Sequence, residues 1–144
     1  MDIKKKDLEI GFKTEDLVLP ILNDYFDTTL SKTKTYDVVD FENEKFCIEL
    51  KKRNNNYMKY PTTLIPQNKI NYMKKQLTLD RRCILVFHFD DGLYYIELNP
   101  SNIMNLEQNK RGGRNDRGIC EFKNNGYCYI DIKLLTKIET EEKK

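Results

Sequence analysis

Apolar and polar residues follow two different periods along the chain, and each period predicts one kind of secondary structure. From Thr14 to about Asp27 the apolar side chains recur every three or four residues, which predicts an amphipathic helix. Pro20 lies inside this segment, so we expect a kink or a late helix start. A polar connection at residues 28–35 separates this helix from the next element.

A strand-like pattern follows the connection. Residues 36–41 and 45–53 have the composition of two strands, and a polar turn at 42–44 lies between them. This arrangement predicts a β-hairpin. A polar, Asn-rich loop at 52–61 comes next, and Pro66 then stands where the first turn of a second helix would begin.

The second half of the chain adds further strands. Residues 82–89 form a nearly continuous apolar run, which is typical of a strand buried on both faces. Asp91 and Gly92 give a hairpin turn signal before a return strand at 93–98. Residues 127–135 alternate between apolar and polar positions and predict a final strand.

The predicted order is therefore helix, hairpin, helix, hairpin, loop and strand. This order implies one mixed α/β domain, in which a central mixed β-sheet is flanked by helices. We expect a single domain over residues 1–144, with a core at about 11–135 and a charged tail at 136–144. Residues 99–109 are ambiguous, since a short helix is one option there, and residues 110–118 form a loop rich in Gly and Arg.

Composition narrows the class of protein. The chain has 144 residues, of which 39% are hydrophobic and 33% charged, with a net charge of +2, so one packed core is expected. No apolar run approaches the roughly 20 residues that span a bilayer, and residues 1–6 lack the apolar core of a secretory signal. We expect an intracellular protein of the cytoplasm or nucleus, with a viral or phage origin as one option. The four cysteines lack CxxC spacing and are interpreted as reduced core thiols rather than a zinc site or disulfides.

One predicted strand carries side chains that suit phosphodiester chemistry. Because side chains alternate on a strand, Glu49 and Lys51 share one face, opposite the apolar face. Asp37 lies twelve residues before Glu49 on the preceding strand, so pairing in the hairpin could bring the two carboxylates together. Two neighbouring carboxylates repel, and a divalent cation such as Mg²⁺, or Mn²⁺ in its place, relieves that repulsion. Such a metal activates water and polarises a phosphodiester, while Lys51 stabilises the developing charge.

Three alternatives stand beside this interpretation. The acid-x-Lys spacing also occurs elsewhere, and the Asp131/Lys133 pair is the main rival, interpreted as the solvated face of an edge strand. Asp40 competes with Asp37, but it has the opposite strand parity and lies nearer the turn, so Asp37 is preferred. The whole group could also be an exposed polar hairpin face without chemistry.

The two predicted helices add further candidates. Glu15 lies seven residues before Leu22 and therefore falls on the apolar stripe of the first helix, where a carboxylate is costly unless it is paired or bound to metal. A helix N-terminal acid stabilised by the macrodipole is the alternative. The second helix carries Gln67 and Lys69, which could meet phosphates near the metal or could simply be surface residues.

The order of these motifs resembles the PD-(D/E)xK nuclease superfamily, which has the restriction-endonuclease-like fold. The matching segments are Gly11-Phe12-Lys13-Thr14-Glu15 opening a helix, Tyr36-Asp37-Val38-Val39-Asp40 on one strand, Ile48-Glu49-Leu50-Lys51 on the next, and then a helix. The resemblance covers roughly residues 11–90. The length of the chain and the order of its elements are similar to those of the small archaeal and viral Holliday junction resolvases.

The resemblance implies a role for each motif residue. Asp37 and Glu49 would bind metal together with the Leu50 carbonyl, Lys51 would be the catalytic lysine, and Glu15 would act on the metal directly or through water. Thr35 and Tyr36 stand where the motif's nominal form has a Pro before Asp37.

We therefore expect a Mg²⁺-dependent endonuclease that hydrolyses DNA, with a Holliday junction resolvase of DNA recombination as the first choice of subclass. The alternatives are a restriction-type or repair endonuclease, or a nuclease-fold module that binds DNA or protein without cleaving. Homodimerisation is expected from cleavage of paired strands. The expected DNA-binding residues are Lys52, Arg53, Gln67, Lys69, Arg111, Arg114 and Arg117.

Overall fold

The computed structural model describes residues 3–34, 37–108, 110–111 and 126–139. The helices are α1 (Ile3–Tyr25), α2 (Gln67–Thr78) and α3 (Pro100–Gln108), with a 3-10 turn at Ile132–Leu134. The strands are β1 (Ser31–Lys32), β2 (Phe41–Glu42), β3 (Phe46–Lys52), β4 (Thr62–Pro66), β5 (Arg82–Phe89), β6 (Gly92–Leu98), β7 (Lys110–Arg111), β8 (Tyr127–Asp131) and β9 (Thr136–Lys137).

Two sheets organise these strands. The larger sheet has the order β1-β2-β3-β5-β6-β9, and the smaller has the order β4-β8-β7. β3 and β5 run parallel and are linked through β4 and α2, whereas the other neighbours are antiparallel. The predicted mixed α/β architecture with a central mixed sheet is confirmed.

The central sheet is buried on both faces because β3 and β5 alternate between two apolar clusters. Ile84 and Val86 pack in one cluster with Val18 and Leu22 of α1. Cys83, Leu85 and Phe87 pack in the other, with Ile70 and Met73 of α2. Both faces of β5 are therefore apolar, as its nearly continuous apolar run predicted. The polar side chains of β3 that share a face with Cys47 consequently lie next to a second core rather than on an open surface.

The first helix is longer than predicted. α1 begins at Ile3 and continues through Pro20 to Tyr25, so there is no late helix start. Pro20 is exposed, on the side of the helix away from the core. The residues before Thr14 include Lys, Glu and Leu, which are good helix formers, and this explains the early start.

Several short strands differ from the sequence prediction. Residues 37–40 are bends, so Phe41 is the only described residue of the predicted first hairpin strand (36–41) that lies in a strand. β2 also includes Glu42, which was predicted to begin the turn. The strand Thr62–Pro66 was not predicted. The last predicted strand stops at Asp131, and β8 lies in the middle of its sheet rather than at an edge. Asp131 accepts a hydrogen bond from the backbone nitrogen of Lys133 at 2.9 Å, which begins the 3-10 turn.

The remaining differences concern the ends of the fold. β9 and the buried Ile138 lie at 136–138, in the segment predicted to be a charged tail, so this part of the segment belongs to the fold. The single domain stays a prediction. Cys47, Cys83 and Cys128 are buried free thiols, and Cys120 lies outside the described residues. Within the described ranges, no helix is long and apolar enough to cross a membrane.

Candidate active site

Glu49 is a buried carboxylate in the middle of β3. It is 2% exposed, and its backbone pairs with Leu85 of β5. Oε2 lies 3.1 Å from Nζ of Lys51 and 3.3 Å from Nζ of Lys69. Oε1 is buried and has no hydrogen-bond partner among the described residues. Because an unpaired buried oxygen of a carboxylate is costly, Glu49 is the first place to look for a ligand.

Asp40, and not Asp37, lies beside Glu49. The backbone nitrogen of Asp40 donates to the Ile48 carbonyl at 3.0 Å, and Oδ2 accepts from the Leu50 nitrogen at 2.8 Å. These two bonds fix Asp40 against β3 on either side of Glu49. Asp37 is exposed, and its Oδ2 accepts from the Lys34 nitrogen at 2.9 Å, which makes it a turn residue.

The register of the hairpin explains this correction. A turn at 42–44 would set Asp37 opposite Glu49. The observed ladder instead pairs Phe41 with Ile48 and Glu42 with Cys47, so the next position along brings Asp40 to Glu49. The side chain of Asn43 fixes this turn, because its Oδ1 accepts from the backbone nitrogens of residues 45 and 46, each at 2.8 Å.

Glu15 of α1 adds a third carboxylate. Its side chain is 24% exposed, and its Oε2 lies 3.6 Å from Nζ of Lys32. The negative charge of Asp40 acts on both Glu15 and Glu49. The acidic side chains of three separate elements therefore converge, with Asp40 in the middle. The predicted inward orientation of Glu15 agrees with its position here.

Burial and crowding of like charge favour the protonated form of these acids. Burial, and then the negative charge of Asp40, raise the pKa of Glu49 to about 7, although Lys51 and Lys69 oppose the shift. Burial and Asp40 likewise raise the pKa of Glu15. Glu49 would therefore take up either a proton or a cation near neutral pH.

The donor set fits a hard divalent cation in part. Asp40 and Glu49 supply adjacent carboxylate oxygens, and Glu49 Oε1 is without a partner among the described residues. Over the same residues, no group of three or more His, Cys, Asp or Glu side chains is already gathered in the arrangement of a metal site. Mg²⁺ commonly uses only one or two carboxylates and keeps several waters, so two acids are sufficient.

Lys51 and Lys69 reach the same carboxylate from different elements. Lys51 lies two residues beyond Glu49 on the same face of β3, as predicted. Lys69 extends from the first turn of α2, and its Nζ also donates to the carbonyl of Val38. Lys69 is therefore part of the candidate site and not a residue of the open helix surface.

Two residues expected to contact DNA have internal roles in this structure. Gln67 is buried; its amide nitrogen donates to Asn71 Oδ1 at 2.7 Å, and its oxygen accepts from the Cys128 thiol at 3.0 Å. Arg53 donates to Thr63 Oγ1 at 3.2 Å and to the Leu64 carbonyl, so it holds the end of β3 to β4. Gln67 is therefore not presented to a DNA backbone, whereas Arg53 is only half-buried and also has a structural role. No sequence signal indicated this, since both positions are polar and flank the motif strand.

The structure describes only some of the other residues that are expected to contact DNA. Lys52 is exposed at the end of β3 and is available to a ligand. The backbone of Arg111 lies in β7, whereas Arg114 and Arg117 lie outside the described residues. DNA binding by these residues stays a prediction.

The larger sheet has a parallel β3–β5 pair connected through α2, and β3 carries Glu49 and Lys51 of the site. These features define a restriction-endonuclease-like α/β protein. The family model described as "Phage putative PDDEXK endonuclease" matches residues 12–138, and the chain belongs to this family of the PD-(D/E)xK nuclease superfamily. No curated protein and no solved structure matches the chain. The predicted superfamily is thereby confirmed, while similarity to the Holliday junction resolvases stays a prediction.

Proposed function

We propose that this chain is a Mg²⁺-dependent endonuclease that hydrolyses DNA phosphodiesters at the cluster around Glu49. The observation that carries the proposal is the buried carboxylate of Glu49, which has one unpartnered oxygen and lies next to a second acid and two lysines. Membership of an endonuclease family supports a DNA substrate.

The residues proposed to hold the metal are Asp40 and Glu49, with the Leu50 carbonyl as a further ligand and Glu15 acting directly or through water. When bound, the divalent ion supplies Lewis-acid polarisation of the phosphodiester and lowers the pKa of a bound water. Asp40 replaces Asp37 in this set because it is fixed beside Glu49 by two backbone hydrogen bonds.

The lysines carry out the part of the reaction that belongs to the chain itself. Lys51 is 28% exposed at its side chain, so its ammonium group can meet a phosphate oxygen while it stays close to Glu49. A preorganised cation at this position stabilises the charge that builds up on the phosphate. Lys69 is more buried and also bound to Val38, so it orients Glu49 rather than contacting substrate.

The test is metal-dependent cleavage of plasmid and linear DNA by the wild type and matched variants. We expect cleavage in Mg²⁺ or Mn²⁺ and none in EDTA, with a loss of about 100-fold or more in Glu49→Gln and Lys51→Ala. Glu44→Gln and Lys45→Ala are the controls, since both positions are exposed and lie just before β3, outside the candidate site. Absence of wild-type cleavage with either metal, or full activity of Glu49→Gln, would contradict the proposal.

A second candidate is a nuclease-fold module that binds DNA without cleaving it. The observation in its favour is that, in the part of the chain that the structure describes, the acids are not yet gathered as a metal site and both lysines already neutralise Glu49. Calorimetry with Mn²⁺ separates the two candidates. Heat of binding that disappears in Glu49→Gln supports the enzyme, and DNA binding without any uptake of metal supports the module.

The finer subclass is proposed on the similarity of length and layout to small Holliday junction resolvases. A four-way junction, a gapped duplex and a plain duplex are the substrates that distinguish junction resolution from restriction-type or repair cleavage. Homodimerisation is proposed with it, and light scattering of the purified protein measures the oligomeric state.

A further inference from the structure

A cleft of about 690 Å³ opens beside Lys51, and none of the three acids of the candidate site is among its described lining residues. We call it the tyrosine cleft. Its volume lies within the range of about 300 to 1,000 Å³ that is usual for pockets binding small molecules. The residues of its lining that matter for binding are Lys51, Arg53, Tyr57, Tyr60, Tyr127 and Tyr129.

The smaller sheet forms one wall of the cleft. β4 pairs with β8 so that Tyr127 and Tyr129 lie opposite Pro66 and Leu64. The residues between them, such as Cys128, point into the core. Because side chains alternate on a strand, the two tyrosines stand on the outer face of this sheet, which is the face that borders the cleft.

The loop between β3 and β4 forms the opposite wall. Tyr57 is held in place, since its ring stacks on Tyr94 at 4.0 Å between centroids and its hydroxyl donates to the Ile132 carbonyl at 2.8 Å. Tyr60 is 53% exposed, and the ammonium group of Lys59 lies 5.5 Å from the centroid of the Tyr60 ring. This wall thus has one aromatic ring that is fixed and one that is available to a ligand.

The charge of the lining favours an anionic ligand that carries a flat ring. Lys51 and Arg53 are both cationic, and none of the described residues that line the cleft is acidic. Lys51 also belongs to the candidate active site, where its Nζ lies 3.1 Å from Glu49. A chain of nucleotides whose phosphate is at Lys51 would therefore place the adjoining base among the tyrosines.

We infer that the tyrosine cleft binds an unpaired nucleotide next to the phosphate at Lys51, so that the preferred substrate is DNA with unpaired bases. This inference rests on the proposed function for the identity of the phosphate. Bases in an intact duplex are stacked on each other and offer no free face to a tyrosine, whereas an unpaired base stacks on an aromatic side chain whatever its sequence.

The test measures binding in EDTA, where cleavage is excluded, by fluorescence anisotropy of labelled oligonucleotides. A single-stranded thymidine oligonucleotide, a gapped duplex and a plain duplex are compared with the wild type, Tyr60→Ala and Tyr60→Phe. Tyr60 is suited to substitution because it is exposed and the fold does not depend on burying its ring. Tyr25→Ala is a control, since Tyr25 is a partly exposed tyrosine that does not line the cleft.

We expect the wild type to bind the single strand and the gapped duplex more tightly than the plain duplex. Tyr60→Ala should weaken binding of the unpaired substrates by at least about fivefold, which is the lower end for loss of one base–aromatic stack. Tyr60→Phe keeps the ring and should retain wild-type affinity, as should Tyr25→Ala. Binding of the plain duplex should be the same for all four proteins.

Two results would overturn the inference. One is equal affinity of the wild type for paired and unpaired DNA, and the other is unchanged affinity for the single strand in Tyr60→Ala. Failure of the proposed function looks different. If the protein binds unpaired DNA through Tyr60 but cleaves no DNA, the proposed nuclease activity is wrong and the inference about the cleft stands. If it cleaves plain duplex DNA and Tyr60→Ala has no effect, the inference is wrong and the proposed function stands.

Discussion

At the scale of single residues, the carboxylate of Glu49 couples the site to pH. Its pKa is raised to about 7 by burial and by Asp40, while an unfolded chain holds it near 4.5. Between these two values the folded protein binds more protons than the unfolded one, so the free energy of unfolding falls as pH rises. The stabilisation is complete below about pH 4.5 and is lost above about pH 7.

We expect this group to contribute a fall of about 3 kcal/mol in the free energy of unfolding across that pH window in EDTA. Urea denaturation at the two ends of the window measures it. Glu49→Gln should be clearly less sensitive to pH than the wild type, because the amide does not titrate. Glu44→Gln, at an exposed turn position, should keep the wild-type pH dependence. Identical pH profiles for Glu49→Gln and the wild type would show that Glu49 is not the group responsible.

The second prediction at this scale compares two aspartates three positions apart. Asp40→Asn should lower DNA cleavage by about 100-fold or more, because it removes one of the two proposed carboxylate ligands of the metal. Asp37→Asn should leave cleavage near the wild-type rate, since the hydrogen bonds of Asp37 within the described residues are made to Lys34 of its own turn. Initial rates on linear DNA measure both. The reverse order of effects would restore the prediction made from strand parity.

These aspartates also show how far the sequence determines the site. Glu49 and Lys51 could be placed on one face of a strand because that depends on alternation within a single element. Asp40 could not be chosen, because its position depends on the register between two strands. The register is fixed by hydrogen bonds of Asn43, and a hydrophobic pattern carries no information about them. A shift in where the turn begins changes which acid faces Glu49.

At the scale of elements, long segments with a clear period were predictable and short ones were not. β5 and α2 have eight and twelve residues, and each carries its own pattern of burial. β9 has two residues, and β4 ends in Pro66, which is not typical of a strand. β4 exists because it pairs with β8, where Thr62 faces Asp131 far along the chain. Such a partner cannot be identified from local composition.

Arg53 provides a prediction about how two elements are joined. Its guanidinium bonds Thr63 and the Leu64 carbonyl and lies over the ring of Phe87, at 5.7 Å from the centroid. Arg53→Ala should lower the free energy of unfolding by about 1 to 3 kcal/mol, because partly buried acceptors lose their donor. Lys52→Ala is the matched control and should be close to neutral, since Lys52 is exposed. Urea denaturation distinguishes the two.

The opposite outcome would have a clear meaning for Arg53. If Arg53→Ala keeps wild-type stability and instead weakens DNA binding, the original prediction that Arg53 contacts DNA is correct. Anisotropy with plain duplex DNA, recorded for the same variants, supplies that second measurement.

At the scale of the whole molecule, the candidate site depends on the complete fold. Glu15 comes from α1 on one side of the central sheet, while Lys69 comes from α2 on the other. Asp40 reaches the site only when β2 has paired with β3. No single element contains the cluster, so a fragment of the chain is not expected to bind metal.

The two thiols that lie side by side beneath the site have a practical consequence. Cys47 and Cys83 are opposite each other on the parallel strands β3 and β5, and both are fully buried. Their shared hydrogen bond raises the pKa of Cys47 and lowers that of Cys83, but full burial keeps reagents away from both thiols while the sheet is closed. Alkylating reagents should therefore modify both positions together, and only when the central sheet opens. The rate of their modification, measured by mass spectrometry of the peptides, would report how often the strand that holds Glu49 opens. A tightly bound ion should lower that rate.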